Sequence, residues 1–334
     1  MKNNKIYLLL LFIVVGLFYG CPSTYEYKPS PFIISLWYDA GANELYVLKG
    51  NNILVFNDAS TANGHVTPAR IISLQIKPPS TSYWGLWNLW LDKASNQLFI
   101  ASQYTNEIYV FTNASTINGN IIPARVISGI SINGPKDLWL DSNSDQLYIG
   151  ESNNSILVFT SASTMSGDVT PARVISGAAT ELNYPTSLWL DSNSDQLYVA
   201  SGYSNTSILV FTQASTANGN VAPARNISST DFYGLPCWIW LDSLSNQLYV
   251  TSGYVSAGVF VITDATIANG NVVPTRKITA TQVLGGLGGP FWVDSTSDQL
   301  YITHQGIKEP GSILVFDNAS TINGDVTPSR VIYP

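Results

Sequence analysis

Six tryptophans at near-equal spacing constrain this chain more than any other feature. Trp37, Trp90, Trp139, Trp189, Trp240 and Trp292 recur at intervals of 53, 49, 50, 51 and 52 residues. Each opens the same phrase. In the fourth copy it runs Leu188 to Asp191 (LWLD), Gln196 to Val199 (QLYV), Ile208 to Phe211 (ILVF) and Ala224 to Ser228 (ARNIS). The runs are short and rich in β-branched and aromatic residues, and Asn, Asp, Gly and Ser separate them, as strands joined by turns require. One such unit cannot bury both faces of its sheet, but a closed ring of units can. The spacing therefore predicts an all-β, six-bladed β-propeller with four antiparallel strands per blade, lettered A to D from the axis outward, over residues 32–334.

Each unit supplies its own four strands, so none is left for exchange between the first and last blades. The ring is expected to close by side-chain packing of blade 6 on blade 1. Proline precedes every D strand (Pro68, Pro123, Pro171, Pro223, Pro274, Pro328), and an arginine follows two residues on, from Arg70 to Arg330. Proline suits a strand start or an edge, and a charge on an exposed edge discourages sheet-to-sheet pairing.

The chain begins as a targeting segment. Lys2 and Lys5 precede an uncharged apolar run from Ile6 to Tyr19, too short to span a bilayer and right for a signal h-region. The run ends in Gly20-Cys21, which resembles a bacterial lipobox, although Phe18 and Tyr19 depart from its usual residues. Residues 1–20 read as a signal peptide, Cys21 as the lipidated first residue, and 21–31 as a tether. That predicts an exported, membrane-anchored lipoprotein of the cell envelope. With Cys21 lipidated, Cys237 has no partner for a disulfide and reads as a buried thiol in an apolar stretch. Only 11% of residues are charged, the net charge is −7, and no Lys/Arg cluster exists, which argues against nucleic acid as a partner.

The copies can be compared with one another. The A–B connections have one length throughout, measured as 8 residues from the Trp to the strand B Leu. So do the C–D connections, with 12 residues from the end of strand C to the Pro. From the strand B Leu to the end of strand C the distances are 11, 13, 12, 14, 14 and 16. From the strand D Arg to the next Trp they are 20, 14, 16, 15 and 16. In an up-and-down blade the variable B–C and D–A loops emerge on one face. Scaffolds carry specificity on such loops. Aromatics outside the repeat fall on the same segments, including Trp87, Tyr184 and Phe232. We take Trp84, Tyr104, Tyr203, Tyr233, Tyr254 and His304 as the candidate contacts for a protein or carbohydrate ligand, since aromatics with a polar tip suit both.

No signature of catalysis accompanies them. Asp141 to Asp145 and Asp191 to Asp195 copy the first half of a calcium loop, but Gln146 and Gln196 replace its glycine, and the segment reads as an Asx-rich hairpin turn. Asp39, Asp92, Asp141, Asp191, Asp242 and Asp294 end strand A in every copy, and a group repeated six times reads as turn capping. Acids on the variable face (Glu107, Asp137, Glu151, Glu181, Asp231 and Glu309) carry no catalytic spacing and read as a solvated set. No metal, cofactor or catalytic residue is assigned.

The phrase resembles the repeats of NHL-type and YVTN-type propellers, which pair a strand ending in Asp with a Tyr-Val strand and an Ile-x-Val-Phe strand, as Leu188 to Phe211 does. The resemblance implies the propeller fold and says little of function, because such propellers bind and catalyse many different things. Some six-bladed propellers are metal-dependent lactonases with a Glu, an Asn and an Asp at the channel. A lactonase-like hydrolase or lyase at the same mouth is the alternative to a non-catalytic binding or scaffold module.

Overall fold

A computed structural model describes residues 33–76, 85–202, 207–232, 236–252, 258–283, 287–304 and 311–334, without the side chains of residues 236 and 237. Six antiparallel sheets follow one another, each built as A-B-C-D from the axis outward. Strand A spans Ile33–Asp39, Leu86–Asp92, Pro135–Asp141, Pro185–Asp191, Pro236–Asp242 and Phe291–Asp294 in the six blades. Strand D spans Arg70–Leu74, Arg125–Ser128, Arg173–Ser176, Arg225–Ser228, Arg276–Thr279 and Arg330–Tyr333. The six-bladed propeller expected from the tryptophan spacing is the fold.

Strands B and C are buried along nearly their whole length, on both faces. The cause is stacking. Each core cluster draws on two consecutive blades, as where Trp37, Tyr46 and Leu48 meet Leu89, Leu91 and Leu98, so both sheet faces must be apolar. The A–B turns are uniform. The Oδ1 of each strand-ending aspartate accepts from the amide two residues on, as Asp191 does from Asn193 at 3.1 Å, and Asp191 Oδ2 accepts from Ser194 Oγ at 2.7 Å. The turn-capping reading of these aspartates holds. Asp145 and Asp195 sit at left-handed φ, 51° and 52°, and take hydrogen bonds from Ser163 and Ser215 in the C–D turns.

Two expectations need correction. The repeated arginines are partly buried clamps, not edge charges. Arg225 donates through Nη1 to the carbonyls of Ala265 (2.7 Å) and Ala268 (2.9 Å) in the next blade. Its Nη2 donates to Gln196 Oε1 (2.6 Å) and Tyr198 Oη (3.0 Å) in its own blade. All six arginines reach the same two carbonyls of the following C–D turn.

Closure, likewise, is not by side-chain packing alone. Five D strands pair in parallel with a two- or three-residue piece of the next C–D connection, blade 6 with Gly64–His65 of blade 1, and the D strand of blade 3 makes the single bridge Ile175 to Gly219. Arg330 then reaches Ala59 and Ala62, and Val331 N donates to Asn63 Oδ1. The last interface therefore uses the staple that joins every other pair. Tyr38 stacks on Tyr301 (4.8 Å) and His65 on Tyr333 (5.0 Å) at this seam.

Candidate functional site

The repeat tryptophans do more than mark the blades. Their indoles form a closed ring, with neighbouring centroids 4.1–4.4 Å apart and planes inclined by 53–66°. A sixfold axis rotates each blade by one sixth of a turn, so planes standing parallel to that axis must meet at angles of this size. In a hexagon the radius equals the side, which puts each indole centre about 4 Å from the axis. The rings' own half-width narrows the bore, and the six indoles form the floor of the cavity that they line. Among the described residues, Nε1 of Trp37 and of Trp240 is buried without a hydrogen-bond acceptor. Trp37 lies between two T-shaped indole neighbours, and Trp240 between one T-shaped and one tilted neighbour.

On the D–A side of this floor lies a cavity of about 50 Å³. Its wall is the residue two before each tryptophan: Ser35, Asn88, Asp137, Ser187, Trp238 and Pro290. Here the sixfold repeat breaks. Four blades present polar side chains and two present apolar ones.

The polar arc is one hydrogen-bonded belt. Ser35 Oγ donates to Asn88 Oδ1 at 2.5 Å, and Asn88 Nδ2 donates to Asp137 Oδ1. Asp137 also accepts from the amides of Leu138 (2.9 Å) and Leu188 (2.6 Å) and from Ser187 Oγ. Ser187 Oγ in turn accepts from Ile239 N at 3.3 Å. Burial pushes the Asp137 carboxyl up to about 7, against the downward pull of its four donors. Every acceptor site of the carboxylate is engaged in joining blades 2, 3 and 4.

Beside the belt, Lys136 is 1% exposed. Its Nζ lies 3.6 Å from the centre of the Trp87 ring and 4.1 Å from that of Tyr184, a cation held between two aromatic faces. Glu151 is fully buried and pushed up to about 7 by that burial, while Asn133 N (2.8 Å) and Ser155 Oγ (2.9 Å) donate to it. Asp137 and Glu151 are thus not members of a solvated set. A strand end beside a variable loop reads as surface, yet both side chains are buried.

Of the expected contacts, Tyr104 is 57% exposed. Its Cδ2 would lie 2.5 Å from a Cβ on residue 85, so only glycine there lets the ring settle against the D–A backbone. His304 is 8% exposed, its Nδ1 3.4 Å from Ser312 Oγ. Trp84, Tyr203, Tyr233 and Tyr254 lie outside the described residues, as does Cys21. Phe232 packs on Phe260 at 5.5 Å and serves the core between blades 4 and 5. The sequence does carry a signal for the wall: the residues two and three before each tryptophan differ between copies, whereas the aspartate two after it is present in all six. No protein-family model matches the chain, and no curated protein matches it.

Proposed function

We propose that this chain is a non-catalytic binding propeller of NHL/YVTN type, exported and held in the cell envelope by lipid on Cys21. It takes a protein or carbohydrate ligand on the mouth built from the B–C and D–A loops. One observation carries this reading. The A–B/C–D face repeats the same bonds in every blade, whereas the mouth is non-repeating in loop length and in the six residues of its wall. Sixfold uniformity serves assembly; departure from it at one end only serves recognition. The polar groups that a lactonase-like site would need are committed otherwise, since Asn88 and Asp137 bond to each other and to the blade backbones.

The test is capture from envelope extracts and on a glycan array, using the propeller and its Tyr104→Ala variant. Capture that Tyr104→Ala weakens supports the reading; capture indifferent to every change at the mouth removes it. For the anchor, Cys21→Ala is expected to release the protein from the membrane fraction or to block its processing. Unchanged fractionation would refute lipidation.

A further inference from the structure

The belt follows a rule, and its two exceptions define a ligand chemistry. In strand A, the amide just before each tryptophan faces the axis. Leu89, Leu138, Leu188 and Ile239 all donate this amide to a side chain of the wall. In three of these cases an acceptor comes from the preceding blade: Ser35 for Leu89, Asp137 for Leu188, and Ser187 for Ile239. By the same geometry Trp238 should serve Phe291, and Pro290 should serve Leu36. Neither side chain has an oxygen to accept with. Leu36 pairs with Val47, and Phe291 with Ile302, in the register of Leu138 with Ile149, so their amides face the axis too. No side chain among the described residues accepts from either. Both residues line the cavity and are at least nine-tenths buried. Two indole nitrogens of the cavity lining, Nε1 of Trp37 and of Trp240, are likewise buried without a hydrogen-bond partner among the described residues.

We infer that the axial cavity is a subsite for the acetamido group of an N-acetylated sugar, with the acetamido oxygen on this half. The inference rests on the binding reading of the mouth and narrows its ligand. The two amides on adjacent blades call for an acceptor oxygen. Trp238, Pro290 and the indole floor offer an apolar wall for a methyl group. No lysine or arginine among the described residues lines the cavity to balance a carboxylate, so the acceptor is neutral. Some 50 Å³ holds about three to five water-sized groups, which admits the four heavy atoms of an acetamido group but not a sugar ring. The sugar ring then stays outside the cavity, on the D–A side.

The indole floor gives the readout. Titrating the full chain in detergent with N-acetylglucosamine should change tryptophan fluorescence saturably, while glucose should not. Pro290→Ser installs the residue that blades 1 and 4 carry at this position, supplies an acceptor for Leu36, and should weaken the response at least tenfold. Trp238→Ser does the same for Phe291 and serves if the first variant does not fold. The wild-type comparison of the two sugars is independent of either variant. Equal responses to both sugars, no response to N-acetylglucosamine, or an undiminished response in a folded Pro290→Ser variant would each overturn the subsite. A response to Nε-acetyl-lysine in place of N-acetylglucosamine would overturn the sugar assignment. If Tyr104→Ala weakens capture of an envelope ligand while Pro290→Ser leaves it intact, the subsite fails and the mouth reading stands.

Discussion

Arg225 closes on Ala265 and Ala268 by the bonds with which Arg173 closes on Ala214 and Ala217, one blade earlier. At the other end of the channel, Asp137 has no counterpart in any blade, and Trp238 stands where Ser187 stood one blade before. The two ends are made from the same strands, so the difference does not come from the fold. It comes from what each end must satisfy. The C–D turns have to meet a neighbour sixty degrees away, six times over, and one solution serves all six. At the mouth the blades are joined by different residues from one interface to the next, as where Asp137 bonds both Asn88 and Leu188, and no single solution is repeated. A uniform end teaches how the ring is assembled, and a broken symmetry teaches where something other than assembly is being satisfied.

The comparison can be broken first at the uniform end. Arg225→Ala removes four hydrogen bonds and strips two partly buried carbonyls of their donor. We expect a loss of about 2–4 kcal/mol in unfolding free energy, measured by denaturant titration, with ligand capture by the folded fraction unchanged. A loss below about 0.5 kcal/mol would mean that the staple is incidental.

The belt at the mouth is sharpened by pH. The Asp137 carboxyl is raised to about 7 in the folded chain, from about 3.9 unfolded. The folded state therefore holds the proton more tightly. Its contribution to stability is fully present below about pH 4 and is lost as pH rises through about 7, at up to about 1.4 kcal/mol per pH unit. Glu151 acts in the same direction. Melting temperatures from pH 4 to 8 should fall less steeply in Asp137→Asn, whatever its absolute stability. An identical slope in the variant would assign the pH dependence elsewhere.

The smallest change in the fold should have the clearest effect on recognition. Tyr104→Ala is expected to shift stability by less than about 0.5 kcal/mol, since most of the side chain is already in water. Binding should weaken by about 1–3 kcal/mol if the ring anchors the ligand, as isothermal titration would register.

Much of this architecture is legible in the residues, because repetition makes it so. The tryptophans give blade number, the fixed A–B and C–D lengths give the uniform face, and the strand-ending aspartates read as turn caps without a structure. What escaped is non-local. Arg225 looks like an edge charge in its own blade, because its partners Ala265 and Ala268 lie some 40 residues on. The pairing of Ile332 with Gly64 spans nearly the whole chain, and two residues leave no strand signal. Asp137 looks like a surface acid, because nothing local reveals that Asn88 and Leu188 converge on it from both sides.

The most direct test compares the two faces in one binding scan, once a ligand is captured. Trp84→Ala, Tyr104→Ala and Tyr233→Ala on the B–C/D–A side are set against Thr61→Ala and Thr216→Ala in the C–D turns, where each hydroxyl bonds only its own turn. The account predicts losses of affinity confined to the first group. Losses confined to the C–D turns would contradict it.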